Sequence, residues 1–227
     1  MAVSKPVSIG VTLVFQTPPS VAAGGAFGSI ADRVVERNAK GEFIIPASQV
    51  KGKVRHACEQ ILRALGQEVC NSPRAETMCP NPLGGDPPCP ICCIFGSPAF
   101  SSPLRFHDLV LELNGAEQIK EVITPYLRAM IGMNRRRATV AEGRLFLVET
   151  APYFPELKFT NPQAIEGMLG SEAQVKLLLA GLKLIHTWGG MKSRGLGWIA
   201  SVEVNATFDG KPVKATDWQE VKRLWSD

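Results

Sequence analysis

Cys89-Pro90-Ile91-Cys92 sets two thiols two residues apart, the spacing at which one loop supplies half of a tetrahedral metal site. Cys70 and Cys79 lie upstream in the same Pro- and Gly-rich stretch, at loop-closing distance. Disulfide pairing does not suit six cysteines in a chain whose first residues show no charged-then-apolar leader. A thioredoxin-like dithiol would sit where a strand meets a helix, whereas this pair lies among prolines with further cysteines beside it. Structural zinc fits best. Cys79, Cys89 and Cys92 are the predicted ligands, with Cys70 or His56 as the fourth, and His56 would pin the loop onto the preceding helix. Cys93 is expected to point the other way, and Cys58, within an apolar helical pattern, to be a buried thiol.

Positive charge is the second chemical resource. A net charge of +4, from 25 basic and 21 acidic residues, identifies no partner, but its distribution is informative. Lys51, Lys53 and Arg55 form one cluster, Arg135, Arg136 and Arg137 a second, and Lys192 and Arg194 a third, each beside glycine, proline or a turn. A solvated surface would account for any one of them. The first cluster follows Ser48, read as the N-cap of a helix, where cations sit badly beside the positive end of the macrodipole and an anion is expected. On that helix Lys51 and Arg55 share a face and Lys53 points elsewhere. Gly189, Gly190, Gly195 and Gly197 allow close backbone approach, with Lys192 and Arg194 ready for phosphate or base contacts. A helix precedes this loop and a strand follows it, the reverse of the order in a nucleotide-binding P-loop. Asp32 is the only acid between Thr17 and Arg33. His107 and His186 form no defensible catalytic pairing.

The elements that must position these residues alternate between the two periods. Val7 to Gln16 alternates apolar and polar residues and reads as a half-buried strand, followed by a Pro/Gly/Ala loop from Thr17 to Gly28. A helix is predicted from about Gln49 to Leu65, capped by Gly66. Residues 67–103 show no helical periodicity and hold five cysteines, a length of chain that needs a staple. Leu104 to Leu113 reads as a strand, Gln118 to Met130 as irregular or partly helical, and Gly143 to Glu149 as a strand. Ser171 caps a second helix, and Trp198 to Phe208 is a final strand. Strand, helix, strand, strand, helix, strand is the order of an α+β, ferredoxin-like domain. The 227 residues suit a single domain, and no apolar run approaches the roughly 20 residues that span a bilayer. Cytoplasm is the expected compartment, with no membrane partner.

Three segments together carry a family resemblance: Ile44 to Arg55 (IIPASQVKGKVR), Cys89 to Ser97 (CPICCIFGS) and Trp188 to Trp198 (WGGMKSRGLGW). In order and spacing the chain resembles the RAMP superfamily of CRISPR-associated proteins, and within it the zinc-containing backbone subunits of type III effector complexes. The likeness covers residues 7–208. It implies an RNA-recognition-motif-like domain over residues 1–227, with a zinc-knuckle insertion at about 67–103 and a thumb hairpin at about 131–146. It further implies a ribonucleoprotein in which copies stack along a guide RNA beside sister subunits and the thumb displaces nucleotides of the guide–target duplex. RNA contacts are then expected from Ser48, Lys51, Lys53, Arg55, Asn134, Arg135, Arg136, Arg137, Gly190, Lys192 and Arg194. Such subunits often cut target RNA through an aspartate in the loop after the first strand. Asp32 is the corresponding residue here, alone or with a divalent cation such as Mg. Counting back without gaps from Ile44-Ile45-Pro46 puts the family's aspartate at Ala31, one residue earlier. A silent guide-RNA scaffold and a stand-alone endonuclease that processes precursor RNA are the alternatives.

Overall fold

The computed structural model describes residues 4–23, 31–79, 88–113, 124–154, 156–214 and 218–225. Strand β1 (Lys5–Phe15) is the middle of the main sheet, and its alternation buries Val7, Ile9, Val11, Leu13 and Phe15 on one face. It pairs with β7 (Leu157–Leu169) on one side and β8 (Ile199–Phe208) on the other, both antiparallel. The sheet is completed by β2 (Ile44–Ile45), β3 (Leu104–Phe106), β4 (Leu109–Glu112) and β9 (Lys211–Val213), in the order β2-β4-β7-β1-β8-β9 with β3 also on β7. Helices α1 (Ala47–Ala64) and α3 (Glu172–Leu184) contribute Val50, Val54, Ile61, Leu62, Val175, Leu178 and Leu182 to the same core. The result is an α+β fold. Among the described residues, no helix is long and apolar enough to cross a membrane.

Helix α1 starts one residue before Ser48, which corrects its assignment as the cap. Pro46 is the cap residue, in extended conformation, and the Ala47 N–H donates to Asp108 Oδ1 at 2.8 Å. A carboxylate from the β3–β4 junction therefore does the capping, and Ser48 lies exposed in the first turn. At the other end Gly66 follows the helix as expected, and the Gln67 N–H donates to Leu62 O at 2.9 Å.

Other departures have local causes. Leu104 to Leu113 is two strands, because β7 opposite carries extra residues around Asn161-Pro162-Gln163, where proline offers no N–H to the ladder. The same interruption hides β7 from a period-two reading of the sequence. Tyr126 to Met130 belongs to a strand rather than to an irregular or helical segment, whereas residues 118–123 lie outside the described residues. Strand β5 (Tyr126–Asn134) and β6 (Thr139–Thr150) form a separate two-stranded hairpin, longer than the predicted insertion at 131–146. Among its described residues the cysteine segment contains a helix, α2 (Pro90–Phe95), and a 3-10 turn at Ala75–Thr77. Strand β9 and helix α4 (Trp218–Trp225) were not expected. Helix α4 packs Val221 into the core and anchors on α3 through Lys176 Nζ, 2.6 Å from Glu220 Oε1.

Helices α1 and α3 approach closely at Gly181 of α3, where a Cβ would stand 2.7 Å from Cys58 Sγ on α1. Gly181→Ala should therefore lower stability by about 1–2 kcal/mol despite alanine's better helix propensity, read from the urea midpoint. Adding Cys58→Ala should remove the clash, so the double variant loses less than the two single losses summed.

Candidate nucleic-acid interface and metal centre

Helix α2 positions two cysteines at once. Cys89 is its N-cap residue and Pro90 its first helical residue, so Cys92 comes round to the same side one turn later. Their thiols meet those of Cys70 and Cys79, with all four sulfurs within 4.8 Å of one another. Cys70 Sγ lies 3.3 Å from Cys92 Sγ and 3.7 Å from Cys89 Sγ. A tetrahedral thiolate site with bonds of about 2.3 Å has sulfur–sulfur edges of about 3.8 Å, so the four donors fit a metal such as zinc. Cys70 is the fourth member, and the alternative, His56, stays exposed on α1 outside the cluster. The reason is helical phase: Arg55 faces the cluster, and the next residue is turned toward solvent. Cys93 turns away, its thiol donating to Pro88 O at 3.5 Å.

Electrostatics in the cluster are uneven. Burial, hydrogen bonding to Cys70 and the neighbouring thiols push the Cys92 thiol well above its ordinary range. At Cys89 burial acts in the same direction, but backbone N–H groups of Cys70 and Cys92 outweigh it and hold the thiol below its usual value. Four thiolates could coexist here only around a cation.

The basic cluster on α1 splits three ways. Lys51 Nζ lies 5.9 Å from the centre of the Phe106 ring, and Arg55 is committed to the cysteine side. Lys53 crosses to the glycine-rich loop, donating to Thr187 O at 2.8 Å and lying 5.5 Å from the Trp188 ring centre. Burial and the charge of Lys192 lower the Lys53 pKa. Between these segments lies a cavity of about 460 Å³ bordered by Lys53, Gly52, Arg33, Gly189 and Gly190. Arg33 was not anticipated; its adjacency to Asp32 was the one signal in the sequence. Gly189 adopts φ +82, and a Cβ there would stand 2.6 Å from Ser20 O, so backbone packs directly on backbone at the cavity wall.

The hairpin stands beside this cavity. Arg194 ties the glycine-rich loop to it, with Nη2 3.4 Å from Ile131 O and the guanidinium 5.6 Å from the Phe146 ring centre. At the tip Asn134 Oδ1 accepts the N–H groups of Arg136 and Arg137 at 3.1 and 3.3 Å, and Arg135, Arg136 and Arg137 are exposed. Leu127, Ile131, Met133, Val140 and Leu145 are also exposed, an apolar surface that a two-stranded hairpin cannot bury alone. By contrast, the strand pairs on the outer face of the main sheet include Ser8–Glu166 and Thr12–Glu203, acids unsuited to a phosphate backbone.

Asp32 is exposed at the base of the hairpin. Its Oδ2 accepts the Leu147 N–H at 2.7 Å and its own N–H donates to Leu147 O at 2.9 Å. Ala31, at the gap-free position, is 2% exposed. Among the described residues the four cysteines are the only group of three or more metal-ligating side chains, so no set of carboxylates accompanies Asp32.

A family model described as the RAMP superfamily matches residues 12–200. No curated protein matches the chain.

Asp32→Ala should free the Leu147 N–H and loosen the hairpin base. Hydrogen exchange at Leu147 and its neighbours is expected to speed up by about tenfold, the equivalent of one charge-assisted hydrogen bond, with the main sheet unchanged.

Proposed function

The chain belongs to the RAMP superfamily of CRISPR-associated RNA-binding proteins, and on that premise we propose that it is the guide-RNA-binding backbone subunit of a type III effector complex. The observation that carries this reading is the junction of Arg33, Lys53 and the glycine-rich loop around one cavity, tied by Arg194 to an exposed hairpin with an arginine-rich tip. In this reading guide phosphates run past Lys53, Arg33, Gly190 and Lys192, and the hairpin is the thumb that displaces nucleotides in the guide–target duplex. Ser48 and Lys51 extend the phosphate path along α1. The partners are guide RNA, complementary target RNA and neighbouring type III subunits, in the cytoplasm. The succession β1, α1, β3/β4, β7, α3, β8 supports a ferredoxin-like domain, and the four thiols support structural zinc in the insertion.

Cleavage, if the subunit performs it, takes place where the displaced nucleotide meets Asp32. In-line attack by a 2′-hydroxyl needs that hydroxyl oriented and deprotonated, and the phosphate charge stabilised. Asp32, held by β6, would orient the hydroxyl, and Arg33 lies next in the chain to meet the phosphate. A silent scaffold is the second reading. It is favoured by the engagement of the Asp32 carboxylate with Leu147 and by alanine at the gap-free position.

Two measurements test these readings. Lys53→Ala should weaken guide-RNA binding at every sequence and reduce the salt dependence of log affinity by about 0.7, the share of one single-strand phosphate contact. An unchanged slope would remove Lys53 from the path. In the assembled complex, wild type should cut complementary RNA at regular intervals and Asp32→Ala should not. Cutting that survives in the variant excludes Asp32, and a wild-type complex that assembles without cutting establishes the scaffold.

A further inference from the structure

Of Lys51, Lys53 and Arg55 on α1, Arg55 is the one committed to the cysteine segment. Its side chain is 12% exposed, and all three guanidinium nitrogens are engaged. Nε donates to Glu59 Oε1 at 3.0 Å, Nη1 to Gly96 O at 2.9 Å, and Nη2 to Cys92 Sγ at 3.5 Å. Glu59, 2% exposed, also accepts the Ser72 hydroxyl at 2.8 Å. Arg63 Nη2 lies 3.9 Å from the other Glu59 oxygen and donates to Cys70 O at 2.9 Å. The segment bearing Cys70 and the helix bearing Cys92 thus hang on one buried ion pair from α1.

We infer that Arg55 is a positioning residue of the metal centre rather than a contact for RNA phosphate. The inference rests on the zinc reading above. Four thiolates around one divalent cation leave the centre net negative, and a guanidinium N–H aimed at the Cys92 sulfur both offsets that charge and fixes the ligand's direction. Glu59 keeps the guanidinium from swinging out, and Gly96 O fixes it against the C-terminal end of α2. A lysine at this position keeps the charge but not the fork, so it cannot serve Glu59, Gly96 and Cys92 together.

Cobalt(II) loaded into the full chain in place of zinc provides the test. In Arg55→Met the thiolate-to-cobalt charge-transfer band should move to lower energy, because the Cys92 sulfur loses its hydrogen bond. Zinc affinity in chelator competition should fall about 10–100-fold, with Arg55→Lys recovering part of both. The salt dependence of guide-RNA binding should stay at the wild-type slope. A folded Arg55→Met with wild-type band and zinc affinity would overturn the inference, and a slope reduced by about 0.7 would overturn it by assigning Arg55 to phosphate. If Arg55→Met does not fold, Arg55→Lys decides: a smaller band shift of the same sign supports the role, and a wild-type band refutes it. A wild-type chain that folds while taking up neither metal fails at the zinc reading itself, an outcome separate from an unshifted band.

Discussion

Pro18, Pro19, Ser20 and Val21 run buried between other segments without belonging to a strand, so their backbone oxygens must be satisfied by neighbours. Pro18 O accepts from Gly197, Pro19 O from Ala151, Ser20 O from Gly190 and Val21 O from Glu36, at 2.8 to 3.1 Å. The Ser20 hydroxyl adds a bond to Glu149 O at 3.0 Å. One short run of chain thereby fixes the glycine-rich loop, the hairpin base and the segment after Asp32 relative to one another. The approach is possible because Gly189 carries no side chain: a Cβ there would stand 2.6 Å from Ser20 O. The cavity between Arg33 and Lys53 exists because this clamp holds its walls.

Helix α1 connects that clamp to the four-cysteine cluster. One side of the helix presents Lys53 to the cavity, another gives Arg55 to the cysteines, and the apolar face locks both onto the sheet. A metal at the four thiols would tie Cys70, Cys79, Cys89 and Cys92 together beside this helix. On the zinc reading such a metal would act mechanically, joining the segment of Cys70 to helix α2. The Asp108 cap has a parallel effect at the start of α1, where it already satisfies the Ala47 N–H.

What the sequence revealed follows from how local each signal is. Strand β1, helix α1 with Gly66 behind it, and helix α3 are announced by uninterrupted periodicity and by their end residues. Strand β7 is not, since Asn161-Pro162-Gln163 breaks the alternation, and Gly10 alone makes room for the resulting bulge: a Cβ there would stand 2.8 Å from Pro162 O. The thiol spacing predicted a cluster, but choosing Cys70 over His56 required the rotational phase of α1 against α2. The same phase split Lys51, Lys53 and Arg55 between three surroundings. Asp108 matters through a partner distant in the chain. Glu59, four residues from both Arg55 and Arg63, reads as an ordinary helix-surface ion pair until its burial and its bond to Ser72 are seen.

The central claim is that RNA is held at the loop end of the domain, between α1, the glycine-rich loop and the hairpin, and not on the open face of the sheet. Photocrosslinking of a guide RNA carrying 4-thiouridine to the assembled complex, with crosslinked peptides mapped by mass spectrometry, tests it most directly. Crosslinks are expected on the peptides containing Arg33, Lys53, Lys192 and the hairpin tip at Arg135 to Arg137. Crosslinks concentrated instead on the outward residues of β1 and β8, around Thr12 and Glu203, would contradict the account.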